Sequence, residues 1–583
     1  MSAASDKDDV KYSSGPENPF KGFIPASKKE MKERGWDSLD IILVSGDTYY
    51  DTPYSGSAMI GRWLIHNGYR VGIIPQPSEE DIGKLGIPEL FWSVSAGCVD
   101  SMVANRTANN KKRRHDDFTP GGVNDRRPDR ATIVYTNMIK RFCRDKPIVL
   151  GGIEASLRRV AHYDGWTDTV RRSVLFDAKA DYITYGMAEF SNLELADALK
   201  ASKNTENIRG ICYISKECPE NHILIPSYED CSEDDGKFAE AYRAFGENCD
   251  PVTAKGLCQR HGDRYLIQNP PQRDPTTEEL DLFHSLGYMN EVHPSCIKDG
   301  YVKAADTIKN SVTTHRGCYG GCSFCAIAVH QGRRVVSRSE DSIIEEIKGF
   351  AKNPDFNGII YDLGGPTANM YGIECEKKIT GGACEDRGCL FPHVCKSLKV
   401  NHDRQLKLLE RVLDVEGVRK VFVTSGIRYD MILADEEHGK EYVDAVVKNH
   451  VSGQLKIAPE HVSDEILELM GKPGRKELLE FKKMFDSSNR EHGKKQFLTY
   501  YTMAAHPGCT QKHMEDLGKF CRNVLKTNPE QVQIFTPTPS TVSTLMYHTG
   551  KTPDGRELFV ERHPQGKQRQ KNAVLGRRRY ARE

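Results

Sequence analysis

The sequence predicts an α/β protein with an N-terminal Rossmann-like doubly wound parallel sheet, followed by a partial (β/α)6 TIM-like barrel. Three observations lead to this prediction. Short apolar runs alternate with amphipathic helical stretches from about residue 40, as in repeated β–α–β units. The alternation fades over residues 216–303 and then repeats about six times within residues 304–550. The 583 residues also exceed what one hydrophobic core organises, so two or more domains are expected.

Residues 1–37 are polar and rich in Lys, Glu, Ser and Pro. Such a composition buries too little apolar surface to offset the entropy of ordering the chain. We expect a flexible or loosely docked N-terminal arm.

Residues 38–215 carry the pattern of the Rossmann-like domain. A helical stretch with Met59, Trp63 and Leu64 on one face ends at Gly68. Ligands of such sheets bind outside the carboxyl ends of the strands, which directs attention to residues 46–56 and 151–156. The apolar runs that read as buried strands are 41–44, 70–74, 91–94, 147–150, 182–185 and 210–213.

Residues 216–303 read as an irregular connector. Pro, Asp and Glu cluster there, and the five cysteines from Cys218 to Cys296 match no metal-binding spacing. We interpret these cysteines as buried small side chains or free thiols.

Residues 304–550 predict the barrel. Ser339 is a suitable N-cap for a helix whose apolar stripe includes Ile343, Ile344 and Ile347. Chemistry in βα barrels lies on the loops at the carboxyl ends of the strands. The strand-like runs are 311–315, 358–363, 420–424, 454–457, 497–502 and 531–535.

The loop after the first barrel strand contains Cys318, Cys322 and Cys325, spaced C-x-x-x-C-x-x-C. Soft thiolates select iron–sulfur clusters, zinc or cuprous copper. A cubane cluster normally takes four thiolates, so three leave one iron open to another ligand. The alternative is a structural zinc site that a distant His or Cys completes.

This motif and the wider stretch 313–327 resemble the YgiQ family of radical S-adenosylmethionine (radical SAM) proteins. The likeness extends over roughly residues 40–550. It implies an enzyme with a radical SAM barrel and a 4Fe–4S cluster whose open iron binds S-adenosylmethionine. Reductive cleavage of that molecule would give a 5′-deoxyadenosyl radical that acts on a substrate the sequence does not identify. An electron donor such as flavodoxin or ferredoxin is implied as well.

The same resemblance assigns cofactor-binding residues. Gly364 and Gly365 match a Gly-Gly-Glu-like element that holds the methionine amino group, although Pro366 replaces the acid. Arg428 is a candidate contact for the carboxylate of S-adenosylmethionine, and Glu460 for its ribose hydroxyls. Arg428 and Glu460 are equally compatible with structural ion pairs. No catalytic side chain is assigned.

The N-terminal domain is similar to the Rossmann-like cobalamin-binding domains that precede many radical SAM barrels, in part through the Gly-Gly-x-x-Ala-Ser run at 151–156. The cobalamin motif D-x-H-x-x-G supplies an axial His, whereas residues 51–56 here contain none. Cobalamin bound through a His at this position is therefore not expected. A degenerate layer that covers or shapes the active site is the interpretation we adopt.

Four further cysteines lie close together in the polar stretch between the second and third barrel strands. A gathering of this kind is hard to explain as hydrophobic core, and it is typical of a metal site, either an auxiliary iron–sulfur cluster or structural zinc. The uneven spacing favours free or disulfide-capable thiols slightly over that metal site. The four are Cys375, Cys384, Cys389 and Cys395.

The amino-acid composition indicates the cellular compartment and the classes of binding partner. The chain carries 82 basic and 82 acidic residues, which gives no overall bias toward nucleic acid or membrane. No apolar run approaches the roughly 20 residues that span a bilayer, and no signal-peptide core is present. Seventeen cysteines in such a chain indicate metal ligation in a reducing cytoplasm.

RNA is the alternative partner. Basic runs at 111–114 and 126–130 and the basic C-terminal tail, residues 551–583, suggest either RNA modification or solvated charged surfaces. We expect the tail to be disordered. A non-catalytic iron–sulfur or zinc scaffold is the competing function of another class.

Overall fold

The computed structural model describes residues 20–384 and 387–575. The N-terminal half is built on one nine-stranded sheet. Five parallel strands form one half of the sheet, and the other four form a mixed half. In spatial order the strands are His222–Ile225, Gly256–His261, Arg264–Gln268, Ile211–Ser215, Tyr182–Thr184, Ile148–Gly151, Phe91–Ser95, Ile41–Ser45 and Val71–Pro75.

The sheet is buried on both faces, which confirms the doubly wound prediction. Along one strand Ile41 and Leu43 pack into one apolar cluster, while Ile42 and Val44 pack into another. Successive side chains of a strand point to opposite faces, so each face is covered by its own layer.

The direction of one predicted strand was wrong. Ile211–Ser215 runs antiparallel to Tyr182–Thr184, so the sheet is mixed rather than wholly parallel. Apolar periodicity reveals a strand but not its direction. The intervening helix Glu189–Lys200 and its loops are long enough to return the chain either way.

Residues 216–303 were also predicted wrongly as irregular. They contribute three strands to the sheet and include the helix Asp235–Glu247. The strand His222–Ile225 lies at the sheet edge with Leu224 63% exposed, so it lacks the continuous apolar run of a buried strand. Cys218 and Cys258 form a disulfide, which corrects their interpretation as free thiols. The predicted domain limits themselves stay predictions.

The remaining N-terminal elements are short. Two small ribbons pair Tyr50–Asp51 with Glu291–Val292 and His162–Asp164 with Thr169–Arg171. The other helices of this half are Lys28–Glu33, Gly56–His66, Ser101–Asn105, Ala131–Phe142, Gly152–Leu157, Val174–Ala178, Tyr228–Glu233, Thr277–His284, Pro294–Ile297 and Ala304–Ile308.

Residues 20–37 are docked, which corrects the prediction of a flexible arm for this part. Ile24 is fully buried, and Arg62 donates to the carbonyls of Phe20 and Gly22 at 3.1 and 2.9 Å. The buried guanidinium of Arg62 needs hydrogen-bond acceptors, and the carbonyls of this segment supply them. The composition of the segment alone does not reveal that contact. Residues 1–19 lie outside the described residues.

The C-terminal half is the predicted partial barrel. Parallel pairing joins each strand to the next along the chain, with a single bridge between Ile427 and Ile457 linking the third and fourth. The strands are Ser311–Thr313, then Ile359–Ile360 continued by Asp362–Gly364, Lys420–Val421, Gln454–Glu460, Phe497–Ala504 and Gln531–Ile534. A ribbon of His315–Arg316 and Val336–Ser337 follows the first strand.

Helices connect these strands. The helix Glu340–Ala351 begins after Ser339, whose hydroxyl accepts from Ser342 N–H as predicted. The other helices of this half are Ile327–His330, Glu376–Gly381, Asp403–Leu413, Tyr429–Ala434, Gly439–Ala445, Val446–His450, Asp464–Met470, Arg475–Glu491, Gln511–Phe520, Cys521–Leu525, Val542–Thr549 and Pro564–Leu575.

The tail is ordered through residue 575, which corrects its prediction as disordered. In the helix Pro564–Leu575 the Gln570 amide accepts from Ala505 N–H at 2.8 Å and donates to the Cys509 carbonyl at 2.9 Å. Val574 is fully buried. Residues 576–583, which hold several of its arginines, lie outside the described residues. No helix in the described parts of the chain is long and apolar enough to cross a membrane.

Candidate active site

We call residues 317–325 the cysteine loop. It leaves the first barrel strand and its ribbon, and other barrel segments hold its far end. Ser323 N–H donates to the Met470 carbonyl at 3.0 Å, and the Ser323 hydroxyl donates to the Leu469 carbonyl at 2.7 Å. The loop is therefore fixed against the helix that follows the fourth strand.

The three thiols of the loop are partly buried and close to its backbone. Gly320 N–H donates to Cys318 Sγ at 3.3 Å. A Cβ on Gly320 would lie 3.2 Å from Cys318 Sγ and 3.6 Å from Cys322 Sγ, so the sulfurs flank this glycine. Burial raises the pKa of Cys318 and brings that of Cys325 to about 12. Without a bound cation Cys318 and Cys325 would stay protonated, and a metal would have to displace those protons.

The donor set fits a cluster better than one ion. Within residues 20–384 and 387–575, no three His, Cys, Asp or Glu side chains gather tightly enough to hold a single metal ion. In a 4Fe–4S cluster each thiolate binds a different iron, so the sulfurs surround the cluster instead of meeting at one point. Three soft donors on one glycine-containing loop suit that arrangement.

Arg428 lies against the cysteine loop. Its Nη1 is 3.5 Å from Cys322 Sγ, while its Nε and Nη2 donate to the two Asp430 carboxylate oxygens at 2.8 and 2.6 Å. The side chain is buried, and burial disfavours its charge while Asp430 and the nearby sulfurs favour it, so its pKa lies above the usual range. A permanent positive charge therefore faces Cys322.

A buried polar chain holds Arg428 in place. The Asn369 amide accepts from Arg428 N–H at 2.7 Å and donates to the Arg428 carbonyl at 3.0 Å. Asn369 Nδ2 lies 3.2 Å from His402 Nε2, and His402 Nδ1 is 2.7 Å from Asp435. Sequence patterns do not predict this chain of contacts, because its members come from separate loops and helices.

Gly364 and Gly365 close the second strand beside the first. The Gly364 carbonyl accepts from Thr314 N–H at 2.7 Å. A Cβ on Gly365 would lie 2.6 Å from the ring of buried His315, so only glycine allows this close approach. His315 was not predicted as a site residue. Burial lowers its pKa to about 4, which keeps the imidazole neutral.

Glu460 ends the fourth strand with a φ of +67°, which is uncommon for a residue other than glycine. Burial raises the pKa of its carboxyl group, and the positive charge of Lys472 opposes that shift. The predicted contacts of Glu460 and Arg428 with S-adenosylmethionine stay predictions. Arg428 also makes the ion pair that the sequence left open as its alternative.

A cavity of about 480 Å³ separates the two halves of the protein. Ser45, Ser95 and Gly151 line it from the carboxyl ends of three N-terminal strands, and Thr313 and Gly365 line it from the barrel. Both loops expected to bind ligands, 46–56 and 151–156, contribute residues to its wall. Strand ends of two sheets thus face one enclosed space.

The cavity wall does not offer cobalamin an axial imidazole at the position of the motif. Pro53 stands where the D-x-H-x-x-G motif has its His. Asp51, which begins that run, is fully enclosed in an ion pair with Arg62. These residues do not fit a corrinoid bound in that manner, and the expectation against cobalamin stays a prediction.

The second cysteine group lines a separate cavity of about 330 Å³. Cys375 begins the helix Glu376–Gly381, and the other three lie on the loop that follows it. Lys378 Nζ donates to Cys389 Sγ at 3.3 Å. Cys375, Cys384, Cys389 and Cys395 thus line the same cavity, and their binding of a metal stays a prediction.

The basic run at residues 126–130 is paired with acids. Arg127 is buried between Asp47 and Asp116, and Arg130 pairs with Asp164. Arginines committed to internal ion pairs have fewer donors to offer phosphates. The RNA hypothesis accordingly gains no support from residues 126–130.

Comparisons with known proteins agree with this architecture. Residues 23–311 match the family described as Radical SAM N-terminal, and residues 312–521 match the Radical SAM superfamily. The first match covers the stretch 216–303 that joins the nine-stranded sheet. The boundary between the two matches falls at the first barrel strand.

Two relatives are similar over nearly their whole length. A UPF0313 protein of Fusobacterium nucleatum is 56% identical over 562 residues, covering 95% of this chain and 99% of that protein. A UPF0313 protein of Thermotoga maritima is 48% identical over 560 residues, covering 95% and 98%.

Solved structures resemble the chain more distantly. TsrM of Kitasatospora setae, a radical S-adenosylmethionine methyltransferase with cobalamin and a 4Fe–4S cluster bound, gives a TM-score of 0.46 at 14% identity, covering 87% of this chain and 77% of that chain. OxsB, a cobalamin-dependent S-adenosylmethionine radical enzyme, gives 0.47 at 10% identity, covering 89% and 57%.

Proposed function

Because this chain belongs to the UPF0313 family and carries a radical SAM domain, we propose that Cys318, Cys322 and Cys325 hold a 4Fe–4S cluster that binds S-adenosylmethionine. The chain is an enzyme of the radical SAM superfamily. Its proposed reaction is reductive cleavage of S-adenosylmethionine to a 5′-deoxyadenosyl radical that abstracts hydrogen from a substrate in the interdomain cavity. The observation that carries the proposal is the trio of thiols on the loop after the first barrel strand.

The cluster, when bound, supplies the electron that breaks a carbon–sulfur bond of the sulfonium. The chain positions and shields the reactants. Arg428 places a permanent positive charge beside Cys322 Sγ, facing the cluster that the loop would hold. Gly364 and Gly365 present backbone without side chains at the cavity wall, where the methionine end of the cosubstrate is proposed to lie. The N-terminal strand ends cover the cavity on the side away from the barrel.

The proposal is tested by anaerobic reconstitution, reduction and a search for 5′-deoxyadenosine. Wild-type protein is expected to form it, and Cys322→Ala is expected to form none above background. Cys143→Ala, which changes a buried cysteine of the N-terminal domain, is the matched control and should retain the activity. No product from a fully clustered wild type, or equal product from Cys322→Ala, would contradict the proposal.

Replacing Arg428 with Gln should slow this cleavage at least about tenfold, since one hydrogen bond to a charged group is worth about 1.5–3 kcal/mol. The change removes the charge beside Cys322 and leaves Asp430 buried without its partner. The measurement is the single-turnover rate at constant iron content. The double variant Arg428→Gln, Asp430→Asn removes the stranded carboxylate, so it should fold better yet remain slow. Recovery of the rate in the double variant would contradict a role for the guanidinium at the cluster.

Flavodoxin or ferredoxin is the proposed electron donor, because low-potential carriers match the reduction of such clusters. RNA modification remains the second proposal for the substrate. A salt-sensitive affinity for RNA would support it.

A further inference from the structure

We propose that Cys375, Cys384, Cys389 and Cys395 bind a second 4Fe–4S cluster, separate from that of the cysteine loop. The proposal does not depend on the chemistry at the first site. It begins from the observation that the four cysteines, spread over 21 positions of the chain, line a single cavity.

Backbone hydrogen bonds order the segments that carry these cysteines. Cys395 N–H donates to the Cys389 carbonyl at 2.8 Å, which folds that part of the loop back on itself. Lys378 N–H donates to the Cys375 carbonyl at 2.9 Å at the start of the short helix. Four thiols are the full complement that a cubane takes from protein. The first site has three, so the two sites differ in the number of donors.

The cavity beside the four cysteines is large enough for a cluster of several metal ions. The cavity measures about 330 Å³, many times the ~30 Å³ that one water molecule occupies in the liquid. A single tetrahedral zinc would need the four sulfurs about 2.3 Å from one point. No such tight gathering occurs among residues 20–384 and 387–575, whereas thiolates that each bind a different iron lie farther apart.

Lys378 supplies an independent argument. Its side chain is buried, with Nζ donating to Cys389 Sγ at 3.3 Å and to the Arg333 carbonyl at 2.6 Å. The ammonium also lies 5.4 Å from the centre of the Tyr319 ring and acts electrostatically on Asp274. A buried ammonium is costly, and an anionic group close to it lowers that cost. A cluster ligated by four thiolates carries net negative charge and would be that anion.

The second group also lies close to the first. Tyr319, which follows Cys318 in the cysteine loop, packs in one apolar cluster with Cys375, Leu390 and Leu398, and Cys318, Cys389 and Cys395 border the same cluster. A buried apolar layer limits the access of water and oxygen to both groups.

Iron and acid-labile sulfide content tests the proposal directly. After anaerobic reconstitution the wild type should contain about eight irons per chain, because each 4Fe–4S cluster holds four. The triple variant Cys318→Ser, Cys322→Ser, Cys325→Ser should keep about four, and a variant with Ser at Cys375, Cys384, Cys389 and Cys395 should also keep about four. Cys143→Ser is the control that should keep all of them.

Spectroscopy separates the two clusters in unaltered protein. Electron paramagnetic resonance of the reduced wild type should contain two signals, of which S-adenosylmethionine changes only one. The unchanged signal should be absent from Cys384→Ser. The proposal is overturned if all the signal responds to S-adenosylmethionine. The proposal is also overturned if the triple variant is folded by circular dichroism but contains no iron. Stoichiometric zinc in that variant would overturn it as well. If the wild type contains the unresponsive signal but none that S-adenosylmethionine changes, that result would instead contradict the proposed function.

Discussion

Gly317→Ala is expected to remove the cluster of the cysteine loop and to lower the free energy of unfolding by about 3 kcal/mol. Gly317 has a φ of +80°, and a Cβ built there would lie 1.8 Å from the Arg334 carbonyl oxygen. Such a contact is with backbone, so no side-chain rotation relieves it. The ribbon of His315–Arg316 and Val336–Ser337 would have to separate, and Cys318 would move with it. Iron content and urea unfolding measure the two effects.

Gly321→Ala is the matched control in the same loop. Gly321 also has a positive φ, +57°, but a Cβ there would meet no atom within 4 Å. The conformational cost alone is about 1 kcal/mol, and the iron should remain. If both variants kept their iron equally, close backbone packing at Gly317 would not be what shapes the loop.

The elements that sequence periodicity located correctly are the ones buried on both faces. The run at 41–44 lies within the strand Ile41–Ser45, and the run at 147–150 overlaps the strand Ile148–Gly151. Buried parallel strands are nearly continuous apolar runs, so their signal is strong. The edge strand His222–Ile225 was not predicted because it is partly exposed, with Leu224 63% exposed. The direction of Ile211–Ser215 depends on strand pairing that no local pattern encodes.

The residues of the candidate site also fall into some that the sequence indicates and others that only the structure reveals. The cysteine loop is a contiguous motif, so its spacing alone indicated its chemistry. Arg428 was singled out only through a family resemblance, and its partners Asn369, His402 and Asp435 carry no signal of their own. Each is an ordinary polar residue until folding brings it to a buried position. Long-range polar contacts of this kind have to be read from the structure.

The ion pair of Asp51 and Arg62 is the second large effect, and it is one of these long-range features. Both side chains are fully buried. Arg62 donates to Asp51, to the carbonyls of Phe20 and Gly22 and to the Leu286 carbonyl at 3.1 Å, so it links three separate segments. Arg62→Met should lower the free energy of unfolding by about 3–5 kcal/mol, because it leaves a buried carboxylate without its counter-charge, although the Tyr49 hydroxyl and Met289 N–H still donate to it. The shift of the urea midpoint measures this loss.

Two control variants distinguish how burial and how charge pairing contribute to the free energy of unfolding. Arg141→Ala breaks a pair with Glu79 in which the side chains are 56% and 60% exposed, so it should cost less than about 1 kcal/mol. The double variant Arg62→Met, Asp51→Leu should be less destabilised than the sum of its single variants, since neither charge is stranded. Additive losses would mean that Arg62 acts through its carbonyl contacts alone. The docked segment at residues 20–22 would then owe its position to hydrogen bonds rather than to the buried charge pair.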